Sequence, residues 1–379
     1  MIFDEFSPAR TRRTFTAGGR TLRALGLDGP LTGVLAIIVC IGILVVYSAS
    51  GQNWRMVEHH LVNIAVAVAA LLALAKFATP QYLRMFAPIA YIVGVLLLIV
   101  VDVTGHVGKG AQRWLDVGFM RFQPSEIMKL AVPMMCAWYM HERPLPPSFW
   151  DLLVMGILIA IPTAMIVTQP DLGTALLIAA SGLIVLLLAG LQIQIILISI
   201  PLLGGAAWAA WHFIHDYQRQ RILMFLNPEN DRLGAGYHII QSQIAIGSGG
   251  LFGKGYMNGS QAQLEFLPER STDFIFAVIG EEFGLLGQLL ILSLYGVVIG
   301  RALYLAMQAQ GTFARLTGGA IALSFFVYVF VNSGMVSGIL PVVGVPLPLI
   351  SYGGTSMVTL LAGFGILMSL HSHRKLIGS

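Results

Sequence analysis

Ten runs of predominantly apolar residues, 15 to 27 residues each, leave this chain little choice of fold. They cover residues 31–50, 59–77, 86–101, 125–139, 152–167, 174–189, 191–211, 274–300, 316–335 and 353–370. A helix needs roughly 20 such residues to cross about 30 Å of hydrocarbon. Inside a bilayer every backbone N–H and C=O must be satisfied by the chain itself, and helices do this within one segment. Composition agrees: 56% of residues are hydrophobic and 11% charged, with mean hydropathy +0.80, where a soluble domain carries about 25% charge. The expected fold is an all-α polytopic membrane protein with ten transmembrane helices and one long extracytoplasmic loop, 212–272, between helices seven and eight. It divides into an N-terminal arm 1–30, a ten-helix domain 31–370 and a tail 371–379.

Basic residues orient this bundle. With the N-terminus inside, short inside segments carry twelve Lys or Arg residues and short outside loops carry four, Arg55, Lys109, Arg113 and Arg121. The positive-inside rule then puts both termini in the cytoplasm and the loop 212–272 outside, where a long loop is exempt from the count. The net charge of +4 is therefore a matter of topology, and nothing in it points to nucleic acid. Cys40 and Cys136 both lie in apolar runs, where a thiol is a small buried hydrophobe. The first apolar run is too long for the core of a cleaved signal, which is about 7–15 residues, so it is expected to stay as a span.

Charge inside apolar runs is costly, about 2.5–3.5 kcal/mol per carboxylate on insertion scales, and calls for a cavity or a partner. The stretch 266–284, FLPERSTDFIFAVIGEEFG, puts Asp273 where a polar loop enters a span and Glu281 and Glu282 within that span. Adjacent helical residues point about 100° apart, so Glu281 and Glu282 cannot both face one cavity, and at least one is expected to be paired. Asp273 suits a general base, and equally a carboxylate offsetting the dipole of a helix's first turn. Glu126 and Lys129, at i, i+3, share a helix face at the outer end of a span. They form either an ion pair that orients helices or the polar wall of a ligand cavity. Asp171, after Pro170, reads as a turn or capping residue.

The long loop adds Arg219, Arg221, Lys254 and Arg270, cations suited to a pyrophosphate or to neighbouring acids and lipid headgroups. Its stretch 238–246 has Ile239, Ile240 and Ile244 at helical spacing, which predicts an amphipathic helix on the membrane surface. The glycines that follow do not make a nucleotide loop. A Walker motif needs Gly at 248 and Ser or Thr at 255, and the chain has Ser248 and Gly255.

Five blocks in order, RFQPSEIMKL (121–130), TQPDLGT (168–174), GAGYHIIQSQIAIGSGGLFGKG (234–255), FLPERSTDFIFAVIGEEFG (266–284) and PLPLISYGGTS (346–356), resemble the SEDS family of shape, elongation, division and sporulation proteins. The likeness covers about residues 31–371, and Pro268-Glu269-Arg270 resembles the elongation branch, RodA, more than the division branch, FtsW. The resemblance implies a peptidoglycan glycosyltransferase that polymerises lipid II onto an undecaprenyl-linked glycan chain at the outer face of the cytoplasmic (inner) membrane during cell elongation. It places the family's essential aspartate at Asp273 and its functional ion pair at Glu126 and Lys129. The implied partners are a class B penicillin-binding protein that supplies the transpeptidase, elongation-complex proteins and membrane lipids. Ser271 stands where many relatives carry His, so no proton-handling role is carried to that position.

This reaction needs a base on the acceptor GlcNAc 4-hydroxyl, a role that falls to Asp273, and positive charge for the departing pyrophosphate. Glu126, Lys129, Arg219, Arg221, Lys254 and Arg270 are the candidate substrate-binding residues. The donor is already activated, so no nucleotide is needed, and a divalent cation, Mg2+ or Mn2+, is the one cofactor this chemistry leaves room for. Competing readings are a lipid II flippase, for which intramembrane charge near the midplane would speak, a division-specific FtsW-like polymerase, and a non-catalytic scaffold.

Overall fold

A computed structural model describes residues 25–104, 106–108, 111–116, 121–191, 197, 201, 204–205, 235–264, 266–267 and 269–373. The expected span 191–211 falls almost wholly outside them, as do most of the arm 1–30, the loop residues Arg219 and Arg221, and the end of the tail. The other nine expected spans are helices: α1 Gly29–Ala49, α2 Trp54–Phe77, α3 Pro80–Thr104, α4 Pro124–Met140, α5 Phe149–Thr168, α6 Leu172–Leu188, α9 Ile275–Gln308, α10 Thr312–Val336 and α11 Gly354–Ser372. Two shorter helices, α7 Ala235–Gly249 and α8 Ser260–Gln263, precede α9. Among the described residues, seven of these helices (α1, α2, α3, α5, α9, α10 and α11) are long and apolar enough to cross a membrane.

Polar residues start the helices where the chain leaves an apolar environment. Asp28 accepts from Leu31 N–H at the start of α1, Asn53 from Met56 N–H at α2, and Asp171 from Thr174 N–H at α6. Ser148 and Asp151 form a reciprocal capping box on α5. Each cap satisfies amide donors that a helix leaves open at its N-terminus. Asp171 is thus the capping residue expected from its place after Pro170.

Burial sorts the helices into centre and rim. In α10 and α11 67% and 61% of the apolar window is buried, against 22–33% in α1, α2, α3, α5 and α9, so α10 and α11 lie toward the centre and those five toward the rim, while α4 and α6 are also mostly buried. One packed core joins α1, α2, α9, α10 and α11 around Phe325, Phe364 and Tyr295. A second joins α3 to α6 with α10 and α11 around Met128, Met140 and Met155.

Three features depart from a plain helical bundle. The connection between α3 and α4 forms a three-stranded antiparallel sheet, β1 His106–Gly108, β2 Ala111–Asp116 and β3 Arg121–Phe122, in the order β1-β2-β3. The expected all-α chain is therefore helical with one small sheet. Next, α9 is broken at Gly284, whose φ of 66° is outside helical space. Its 34 residues exceed what a bilayer needs. The break leaves a first half, 275–283, in which 275–282 are all buried, and irregular backbone at membrane depth is tolerated when protein surrounds it.

The third is α7, expected from the spacing within 238–246 to be amphipathic, and it has two faces. Ile239, Ser242 and Ala245 are buried while Ile244 is exposed, and Ser242 Oγ donates to Val336 O of α10 at 2.9 Å. Gly249 meets the backbone of Gly280 with no room for a Cβ, so the buried face packs on protein backbone.

Candidate active site

Asp273 occupies a turn, 269–274, that delivers the chain into α9. The turn is closed by Thr272 N–H and Phe274 N–H, both donating to Glu269 O. Asp273 therefore stands two residues ahead of Ile275 rather than within the first turn of the helix. It is half-buried.

The turn is held from behind by consecutive backbone contacts. Tyr352 N–H donates to Ser271 O at 2.8 Å, Ser351 Oγ–H to Thr272 O at 2.5 Å, and Asn332 Nδ2 to Asp273 O at 2.8 Å. Beside it, His238 of α7 stacks on Phe274 with ring centroids 5.7 Å apart. Burial pushes the His238 imidazole below its ordinary value of 6.5, with the charge of Glu269 opposing, so a neutral ring lies one residue from Asp273. In the sequence His238 leaves no sign of this place, because one histidine in a loop carries no spacing signal.

Glu126 and Lys129 form the ion pair their spacing predicted, with Lys129 Nζ 2.6 Å from Glu126 Oε1. Both are buried, at 5% and 9% exposure, and the ammonium lies 5.3 Å from the centre of the Tyr328 ring. Glu126 Oε2 is buried with no hydrogen-bond partner among the described residues. The residue Glu126 contributes to the wall of a cavity of about 880 Å³, with His59, Asn63, Trp114, Tyr352 and Thr355. A second cavity of about 30 Å³, walled by Lys129, Ser324, Tyr328 and Thr359 among others, adjoins it through Thr359. That smaller volume is the size of one or two waters.

Asp273 is not itself in the wall of the large cavity. Tyr352 makes the connection: it borders the cavity and its amide holds the turn at Ser271. Trp114 comes from β2, and the neighbouring Arg113 faces the other way. Arg113 Nε donates to Gln169 O at 3.1 Å, its Nη2 to Pro170 O, and its Nη1 lies 3.6 Å from Asp171 Oδ2. The small sheet is thereby fastened to the turn before α6.

The loop cations divide. Arg270 is half-buried and its Nη2 lies near Gly51 at the end of α1. Lys254, expected among ligand-facing cations, has its ammonium on Glu281 Oε1 at 2.7 Å and Ser260 Oγ at 2.8 Å. Arg219 and Arg221 lie outside the described residues. Glu281 and Glu282 are both paired within the protein, Glu281 as above and Glu282 by the hydroxyl of Ser48, and neither borders the large cavity. Among the described residues no three His, Cys, Asp or Glu side chains gather to hold a metal ion, so no step below is routed through one.

Taken together, a bundle with seven helices long and apolar enough to cross a membrane among the described residues, a buried ion pair and an adjoining cavity defines a multi-pass membrane protein. Residues 30–376 match the FtsW/RodA/SpoVE cell cycle protein family, and the chain belongs to that family, the SEDS family. It is 52% identical over 352 residues to the peptidoglycan glycosyltransferase MrdB of Escherichia coli K12, covering 93% of this chain and 95% of MrdB. A chain from a solved peptidoglycan synthase complex, described as coordinating polymerization and crosslinking, superposes with TM-score 0.82 at 30% identity, covering 92% of this chain and 99% of that one. The rod shape determining protein RodA of Thermus thermophilus superposes with TM-score 0.70 at 28% identity, covering 92% and 98%.

Proposed function

We infer that this chain is a peptidoglycan glycosyltransferase of the elongation type, which polymerises lipid II at the outer face of the cytoplasmic membrane. The observation that carries the reading is the joining, through Tyr352, of the Asp273 turn to a cavity of about 880 Å³ bordered by Glu126. In this reading Asp273 takes the proton from the acceptor GlcNAc 4-hydroxyl. The oxygen attacks the anomeric carbon of the donor sugar, and that carbon's bond to the diphosphate oxygen breaks. Undecaprenyl diphosphate leaves with the electron pair. A positioned general base contributes typically 10²–10⁴-fold.

The buried Glu126–Lys129 pair forms the polar wall on which the sugar or diphosphate of lipid II rests, with Glu126 contributing to the lining of the large cavity. Arg270, with Arg219 and Arg221, supplies charge for the leaving diphosphate. Lys254 serves the site indirectly by neutralising Glu281. The ten-span topology, with both termini cytoplasmic and the loop 212–272 outside, belongs to the same proposal and is supported by the positive-inside count. So does assembly with a class B penicillin-binding protein and other elongation proteins, supported by the likeness to a chain from a synthase complex.

The test uses the full chain purified with its class B partner, supplied with lipid II and a divalent cation, with polymer read on a gel. Wild type makes polymer and Asp273→Asn makes none while still binding the partner. Polymer from Asp273→Asn overturns the base assignment. Lipid II transfer across vesicles without polymer from wild type favours a flippase.

A further inference from the structure

The block PLPLISYGGTS places Tyr352 and Thr355 in the wall of the large cavity, and its Ser351 has a separate task. Three successive carbonyls, of Ser271, Thr272 and Asp273, each receive a donor from outside the turn: the Tyr352 amide, the Ser351 hydroxyl and the Asn332 side-chain amide. Ser351 Oγ also accepts from Leu347 N–H at 2.8 Å, so one hydroxyl ties the segment before α11 to itself and to the turn. Asn332, on α10 and fully buried, donates a second hydrogen bond to Val345 O at 2.7 Å. Two carbonyls at these distances can be served only by the NH2 end of the amide, which fixes its orientation. A polar side chain buried in an apolar helix is expensive unless paired, and here its pairing is spent on the backbone of the aspartate. The same segment reaches the carboxylate itself: Gly344 has φ 71°, and a methyl added there would stand 3.5 Å from Asp273 Oδ2.

We propose that Asn332 and Ser351 are positioning residues for the reaction, which fix the backbone of Asp273 and thereby aim its carboxylate. The proposal rests on the reading of Asp273 as the general base. Neither residue touches the substrate. Misplacing a catalytic group by about 1 Å can cost about 10²-fold in rate, so loss of the Asn332 donor lowers kcat by about 10²-fold. Loss of the single Ser351 hydroxyl lowers it several-fold. KM for lipid II stays unchanged, because the Glu126–Lys129 wall is untouched.

The experiment measures kcat and KM for lipid II polymerisation by the complex of the full chain with its class B partner, alongside thermal unfolding in detergent. The variants are Asn332→Ala, Ser351→Ala, Asp273→Glu and the double Asp273→Glu/Asn332→Ala. The expected result is loss in kcat alone, with the second substitution adding much less in the Asp273→Glu background, where the carboxylate is already displaced. Full additivity, unchanged kcat in both single variants, or a loss confined to KM or to unfolding temperature overturns the proposal. If Asn332→Ala does not fold, Ser351→Ala decides by the same criteria, with Asp273→Glu/Ser351→Ala as its double. Asp273→Asn separates the two levels: activity in that variant defeats the base assignment, whereas its inactivity with a fully active Ser351→Ala and Asn332→Ala defeats only the positioning role.

Discussion

Lys254 and Glu281 meet at 2.7 Å across 27 residues of chain, and Glu281 is entirely buried. The carboxylate also accepts from Gln261 N–H and Ser260 Oγ–H, so the segment after α7 is folded over the first half of α9 and closed by one charge. Removing the ammonium takes a charged donor from a buried carboxylate, a deficit of about 1–3 kcal/mol. Lys254→Met therefore lowers the unfolding temperature in detergent, and Lys254→Met/Glu281→Gln recovers part of the loss. A double variant as unstable as the single one would show that the charge is not what closes the segment.

The pair of Glu126 and Lys129 lends itself to a sharper separation. Removing one partner of a buried ion pair costs about 3–5 kcal/mol, whereas replacing both by neutral residues is often close to neutral. Lys129→Met is thus expected to be strongly destabilised and Glu126→Gln/Lys129→Met to fold. If the pair forms the substrate wall, the folded double variant makes little polymer from lipid II. If the pair only orients helices, the double variant polymerises at the wild-type rate.

Much of this arrangement could be read from the chain before its structure. Apolar run length registers directly as helix because the bilayer admits so few alternatives, and i, i+3 spacing placed Glu126 against Lys129 without further information. The pairing of Lys254 with Glu281 was out of reach, since it depends on how a loop folds back over 27 residues. Apolar spacing in α7 signalled an amphipathic helix and could not say which apolar residues protein would bury; packing buries Ile239 and leaves Ile244 exposed. Gly284 was equally silent, because a glycine in a span is common and its φ of 66° comes from tertiary packing. Asn332 did leave a mark, a lone amide in an apolar run, but nothing in the sequence indicated which carbonyls it would serve.

Arg113 fastens the small sheet through two carbonyls and one carboxylate, and Trp114 beside it borders the large cavity. Each such hydrogen bond contributes about 0.5–1.5 kcal/mol, so Arg113→Ala frees the sheet without unfolding the bundle. Hydrogen exchange at the amides of 111–116 is expected to quicken about tenfold, while exchange in α10 stays unchanged. Unchanged exchange in β2 would mean that packing of the sheet, not Arg113, holds it in place.

At the opposite end of α1, Asp28 receives both Nε and Nη2 of Arg301, at 3.0 and 2.7 Å. Burial would raise the Asp28 carboxyl above its ordinary 3.8, but the hydrogen bonds from Arg301 and Leu31 N–H outweigh it and hold the group below that value. A carboxyl lowered on folding contributes stability that is present above its unfolded pKa and is lost as pH falls through its folded one. Asn at this position keeps the helix cap and removes only the charge. Asp28→Asn is therefore expected to be less stable than wild type at pH 7, with the gap closing as pH falls from about 4 toward the folded value. Unfolding temperatures of the two proteins across pH 7 to 3 make the comparison, and a gap that stays constant over that range would assign the loss to packing rather than to the ion pair with Arg301.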